Sequence, residues 1–218
     1  MFTKEININV KDTTLEGNLT IPANPKGLVI FSHGSGSSRF SPRNNFVANI
    51  LQTKGIATLL FDLLTEREDS IYQNRFDINK LTKRLIETTQ WAYHQNGILK
   101  LPIGYFGAST GAASALRAAA FFGNSISAVV SRGGRPDLAL DQLNEVKAPT
   151  LLIVGGLDTE VIWFNQKAYE QLECQKKMEI VPGASHLFEE PGKLESVADL
   201  AAEWFDKWFK KTKEDVSG

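Results

Sequence analysis

Gly107-Ala108-Ser109-Thr110-Gly111 is the segment of this 218-residue sequence with the clearest chemical reading. It is a G-x-S-x-G, preceded by the apolar run Ile103-Gly-Tyr-Phe106 and followed by the small residues Ala112, Ala113, Ser114 and Ala115. A strand that passes into a helix through such a turn lifts a serine hydroxyl out at the tip of a sheet. The turn is so sharp that the residues two before and two after the serine nearly touch, and glycine at both places removes the side chains that would collide. A serine presented this way becomes a nucleophile once a base takes its proton.

Imidazole suits that task at neutral pH, its ordinary pKa being about 6.5. The sequence offers three: His33, His94 and His186. His94 falls inside a helix expected over 77–96, far from strand ends. His33 closes a strand expected over 28–31, in His33-Gly34-Ser35-Gly36, where a turn presents backbone amides; a structural or oxyanion-loop role fits it best. His186, in Gly183-Ala184-Ser185-His186 after a strand expected over 178–181, is left as the base. The base needs a carboxylate to hold its tautomer. Asp158 follows the strand expected over 150–154, the one preceding the histidine loop, and is preferred on that ground to Asp62 and Asp137 at other strand ends. The order serine, acid, histidine differs from the chymotrypsin and subtilisin orders. An oxyanion also needs preorganised N–H donors. The amide of Thr110, at a helix N-terminus, is one expectation; that of Ser35 is the second. A dinucleotide reading of Gly34-Ser35-Gly36 fails, because Arg39 stands where the third glycine belongs.

These residues require a scaffold that brings strand ends together. Apolar runs bounded by Gly and Pro alternate with stretches of helical period, the one-dimensional form of a βαβ sheet. Alternation over 2–10 and 14–21 predicts an opening antiparallel pair. Continuous runs over 28–31, 57–61, 103–106, 126–130, 150–154 and 178–181 predict strands buried on both faces. Helices are expected from Ser41-Pro42 to Gly55, over 77–96, 110–122, 160–172 and 193–211, with a polar, frayed tail from about Lys210 to Gly218. The stripe Leu194, Val197, Ala201, Trp204, Phe205, Trp208 and Phe209 reads as core rather than as a membrane anchor. The fold class is therefore α/β, a mostly parallel sheet of about eight strands with helices on both faces, in one domain over 1–218.

Composition excludes other classes. Lys+Arg 24 against Asp+Glu 25 gives a formal charge of -1, which offers nothing to nucleic acid or an anionic bilayer. One cysteine, Cys174, and three histidines leave little for a metal centre. The start Met1-Phe2-Thr3-Lys4-Glu5 has no apolar segment of a signal peptide, so a reducing cytoplasm is expected. Arg39 and Arg43, and Arg132 and Arg135 in Ser131-Arg-Gly-Gly-Arg-Pro136, fall near strand ends. Arginine forks suit carboxylates and phosphates, so Arg39, Arg132 and Arg135 are candidate substrate contacts. The alternative is that they bind Asp62, Asp137 or backbone carbonyls. The charged excursion Leu63 to Phe76 is expected to rim a shallow, open pocket.

With His33-Gly34, Gly107-Ala-Ser-Thr-Gly111, Leu152-Ile-Val-Gly-Gly-Leu-Asp158 and Gly183-Ala-Ser-His186 in order at strand ends, the chain resembles the α/β-hydrolase superfamily over nearly its whole length. It is most similar to the small, cap-less dienelactone-hydrolase-like branch. The resemblance implies an α/β-hydrolase fold without a cap domain and an ester, thioester or lactone hydrolase that needs no cofactor and no metal. It also implies Ser109 as nucleophile, His186 as base, Asp158 as orienting acid, and Ser35 and Thr110 as oxyanion donors. The founding dienelactone hydrolases use cysteine as nucleophile. Serine at position 109 therefore moves the expectation from dienelactone to carboxylic esters of short to medium acyl chain, cleaved through an acyl-serine. Lactone or thioester hydrolysis, and a non-catalytic binding module, are the alternatives. The expected partner is a small-molecule ester, with the chain a monomer or homodimer.

Overall fold

A computed structural model describes residues 1–217, and the side chains of 1–212. The chain opens with β1 (Phe2–Val10) and β2 (Thr13–Ile21), an antiparallel pair. There follow β3 (Leu28–Ser32), α1 (Pro42–Thr53), β4 (Ala57–Phe61), the short α2 (Glu66–Asp69) and α3 (Ile78–Ala92). Then come β5 (Ile103–Ala108), α4 (Thr110–Phe122), β6 (Ile126–Arg132), β7 (Thr150–Gly155), α5 (Thr159–Gln171), β8 (Lys176–Val181) and α6 (Lys193–Ser217). The strands form a single sheet in the order β1-β2-β4-β3-β5-β6-β7-β8. From β4 to β8 every neighbouring pair is parallel, while β2 meets β4 antiparallel.

Helices cover both faces, and the core accordingly has two halves. On one side Leu81 and Leu85 of α3, Leu116 of α4 and Ala168 of α5 pack on Ile30, Ile103 and Tyr105. On the other, Val47 and Leu51 of α1 and Val197, Phe205 and Phe209 of α6 pack on Phe31, Phe106 and Val130. Strands β3 to β7 are therefore buried along their whole length, as their unbroken apolar runs require. Fully burying a side chain such as Phe205 contributes roughly 1.5–3 kcal/mol.

Three expectations change. Strand β8 is not buried on both faces: it ends the sheet, and Ile180 is 44% exposed. Helix α3 stops at Ala92, so His94 lies in the turn beyond it, exposed, with Nδ1 at 2.8 Å from the Gln90 carbonyl. Helix α6 runs on to Ser217 instead of giving way to a tail from Lys210, and Gly218 lies outside the described residues. Lys210 bonds Asp206 one turn back, and the Thr212 hydroxyl donates to the Trp208 carbonyl, which carries the helix past its apolar stripe. No described helix is long and apolar enough to cross a membrane.

Helix α4 packs closely on β5 and on the end of β3. A Cβ on Gly107 would sit 2.5 Å from Cα of Ala112, and one on Gly111 would overlap the carbonyl oxygens of Ser32 and His33 at the end of β3. Both obstacles are backbone, which cannot swing aside as a side chain would. Gly111→Ala should therefore destabilise the protein by about 1–3 kcal/mol in urea unfolding, the range for an overpacked core. A change under about 0.5 kcal/mol would mean that α4 does not press on β3 as described.

Candidate active site

Ser109 sits where β5 becomes α4, at φ 51° and ψ -123°. That left-handed backbone is one that residues with a side chain seldom adopt, and it is held here by the sheet on one side and the helix on the other. Serine at the first position of a helix ordinarily bonds back to the helix's own amides. Ser109 makes no such bond, and it lines a cavity of about 250 Å³ at the carboxyl ends of the strands.

Asp158 repeats that pattern. It caps α5 by position, yet its side chain does not bond the helix. Oδ2 instead accepts a hydrogen bond from His186 Nδ1 at 2.6 Å. With Nδ1–H committed to the carboxylate, the neutral ring carries its lone pair on Nε2, the arrangement a general base needs. His186 lines the same cavity as Ser109. The loop bearing it is tied down: the Ser185 amide donates to both carboxylate oxygens of Glu190 at 3.1 Å, and the Ser185 side chain, with the backbone amides of Glu190 and Ser185, holds that carboxyl below its usual range. Arg43 of α1 pairs with the neighbouring Glu189 at 2.9 Å.

The other candidates are engaged elsewhere. His33 Nε2 accepts the Leu63 amide at 3.1 Å and its Nδ1 lies 2.9 Å from the Gly34 carbonyl, so both ring nitrogens are used. Burial pushes this imidazole down, which keeps it neutral. Asp62 accepts the Arg39 amide at 2.7 Å and pairs with the Arg39 guanidinium. Asp137 is forked by Arg135 at 2.9 and 2.8 Å. Of the three acids at strand ends, only Asp158 meets a histidine.

The two expected oxyanion donors differ. The Thr110 amide opens α4 and meets no acceptor among the described residues. The Ser35 amide is not free: it donates to Thr110 Oγ1 at 2.9 Å. Both residues flank Ser109, but in this structure one N–H is open and the other is occupied.

The arginines separate likewise. Arg39 is held between Asp62 and Glu16 and lines a different cavity, about 360 Å³, on the far side of the 33–39 loop. Arg135 is locked by Asp137, with its guanidinium 4.5 Å above the Phe164 ring. Neither lines the Ser109 cavity, and a carboxylate already neutralises each, the alternative that the sequence left open for them. Arg132 does line it. The excursion over 63–76 also behaves differently from expectation. It folds on itself through a Thr65–Glu68 capping box and borders the Arg39 cavity, while the Ser109 cavity is edged by the 34–37 loop, the start of α1 and Leu187.

Two residues that matter here went unmarked by motif. Asn44 is buried on the face of α1 that also carries Val47, Ala48 and Leu51, and its Oδ1 accepts from Arg132. A polar side chain on an otherwise apolar helix stripe was the available signal. Glu190 had no comparable signal, since its partner is a backbone amide.

Residues 15–213 match the model of the dienelactone hydrolase family. A dienelactone hydrolase from Anabaena variabilis, known from its crystal structure, is 53% identical, with a TM-score of 0.92 over 95% of this chain and 98% of that one. Est1E from Butyrivibrio proteoclasticus shares the fold at 17% identity and a TM-score of 0.78, covering 94% of this chain and 99% of its own. Two strains of Mycobacterium tuberculosis hold a protein that carries a provisional phosphoribosyl transferase name and is 54% identical over 202 residues. Those residues are 93% of this chain and 46% of theirs, so the chain spans about half the length of the curated relatives it matches. The chain has the α/β-hydrolase fold and belongs to the dienelactone hydrolase family.

Proposed function

We propose that this chain hydrolyses carboxylic esters through an acyl-serine intermediate, with Ser109 as nucleophile, His186 as base and Asp158 as orienting acid. The observation that carries this is the 2.6 Å His186–Asp158 bond set beside Ser109 in one cavity, both Ser109 and Asp158 having forgone the capping bonds their positions offer. Membership of a hydrolase family supports the reaction class. The transferase name of the mycobacterial relatives describes proteins more than twice as long as the matched segment and does not bear on this cavity.

Nε2 of His186 takes the Ser109 proton as Oγ adds to the acyl carbonyl. Charge then gathers on the carbonyl oxygen, where the Thr110 amide and the N-terminus of α4 stabilise it. The Ser35 amide joins when the Thr110 hydroxyl yields or shares it, a rearrangement of the kind that sites without substrate undergo. Collapse breaks the ester bond, the imidazolium gives its proton to the departing alcohol, and acyl-Ser109 remains. Water enters, His186 takes one of its protons, and a second collapse returns Ser109 and releases the acid. A cavity of about 250 Å³ favours short to medium acyl chains. Thioesters and lactones would pass through the same steps.

A screen of ester, thioester and lactone hydrolysis with Ser109→Ala as the blank tests the reading. The variant should keep the fold, by circular dichroism, and lose about six orders of magnitude in kcat, as when a serine hydrolase loses its nucleophile. Asp158→Asn should cost about four, because the amide favours the wrong tautomer of the ring. Retention of a tenth of the wild-type rate by Ser109→Ala would overturn the assignment. The profile of kcat/KM should also fall on the acid side with the slope of a single proton, since an imidazolium has no lone pair to accept the serine proton. A profile flat from pH 5 to 8 would remove His186 from the role.

A further inference from the structure

Arg132 ends β6, beside the strand that carries the nucleophile. Its backbone pairs with Ala108, and its carbonyl accepts the Ser109 amide at 3.3 Å. The residue is only 4% exposed, and among the described residues no carboxylate pairs with it. Among the described residues its guanidinium makes one hydrogen bond, Nη2 to Asn44 Oδ1 at 3.2 Å, and Nε is buried without a partner. Every other buried or half-buried arginine near the sheet edge, Arg39, Arg84 and Arg135 among them, is matched to an acid. Burial and the nearby charge of Arg43 push the Arg132 guanidinium down to about 10, which still leaves it cationic at neutral pH.

A buried cation without a counter-ion is expensive, and in folded proteins such charges are paired. The surroundings of this one are arranged for an anion. Among the described residues, no acid lines the Ser109 cavity. Ser37, Ser41, Arg43 and Asn44 line the same cavity, and the first turn of the 12-residue α1 contains no acid. Asn44 holds Arg132 from that same turn, so the guanidinium is fixed before any ligand arrives. Arg43 is itself balanced by Glu189, which leaves the Arg132 charge as the unmatched one.

We infer that Arg132, aided by Arg43 and the start of α1, forms a subsite for an oxyanion, a carboxylate or a phosphate, carried by the ester that Ser109 attacks. Arginine forks bind both groups in two-point fashion. This rests on the hydrolase reading for the reaction, but not for the binding. It adds the substrate class: esters with a negative group a few bonds from the scissile carbonyl. Arg132 then acts as a specificity-determining residue.

Acid release by four ester substrates tests it: monoethyl glutarate against ethyl pentanoate, and 2-acetoxyethyl phosphate against ethyl acetate. Wild-type kcat/KM should exceed that of the neutral counterpart by at least about tenfold for one of the anionic esters, and which one identifies carboxylate or phosphate. Arg132→Gln should lower that ratio at least about tenfold, and Arg132→Lys should recover part of it. A merely structural arginine would lower all rates together and leave the ratio unchanged, which would overturn the inference. Should Arg132→Gln not fold, the wild-type ratio decides alone, a value near one being the contrary result. Should no ester be turned over, the hydrolase reading fails and calorimetry decides the subsite separately. Glutarate or inorganic phosphate binding to wild type but not to Arg132→Gln sustains it; equal binding, or none, removes it.

Discussion

Residue 109 must leave a strand and enter a helix in one step, and much of the site depends on that constraint. The backbone there is left-handed, which a serine tolerates only if the structure on both sides forces it. Strand β5 is locked into the middle of the sheet between β3 and β6, and α4 presses onto the end of β3 so closely that Gly107 and Gly111 leave no room for a methyl group. The strain is thus supported by the most buried part of the fold. What it accomplishes is to free the Ser109 hydroxyl from the bond it would make as an ordinary helix cap, beside the open amide of Thr110.

The same economy recurs on the neighbouring strand. Asp158 stands where aspartate usually caps a helix, but its carboxylate is turned to His186. Because β7 and β8 are adjacent and parallel, the residues after them fall at one edge of the sheet. The histidine loop is then fastened from outside, by Glu190 on the Ser185 amide and by Arg43 on Glu189. A rigid sheet supplies the positions, and short surface bonds orient the loop. This division of labour lets one scaffold set His186 and Ser109, far apart in sequence, on the lining of one cavity.

Much of this was legible in the residues. The strands of the sheet interior are unbroken apolar runs, the elbow is marked by paired glycines, and the scarcity of histidine singles out His186. What escaped was set by long-range partners. Strand β8 has the composition of its neighbours, and only the strand order makes it an edge. Arg39, Arg132 and Arg135 look alike in sequence, yet two find an acid and one does not, because Asp62 and Asp137 happen to fold against the first and last. The Ser35 amide sits in the expected loop, but the hydroxyl that occupies it comes from Thr110, a contact across 75 residues. Patterns of period two and 3.6 carry no record of such pairings.

The central claim is that Ser109 is an activated nucleophile, and its reactivity can be read without knowing the substrate. Treatment of the native protein with a fluorophosphonate, followed by intact-mass measurement and peptide mapping, should give one adduct, on Ser109, that disappears in His186→Ala although the serine remains. An unlabelled wild-type protein, or an adduct on another residue, would contradict the account.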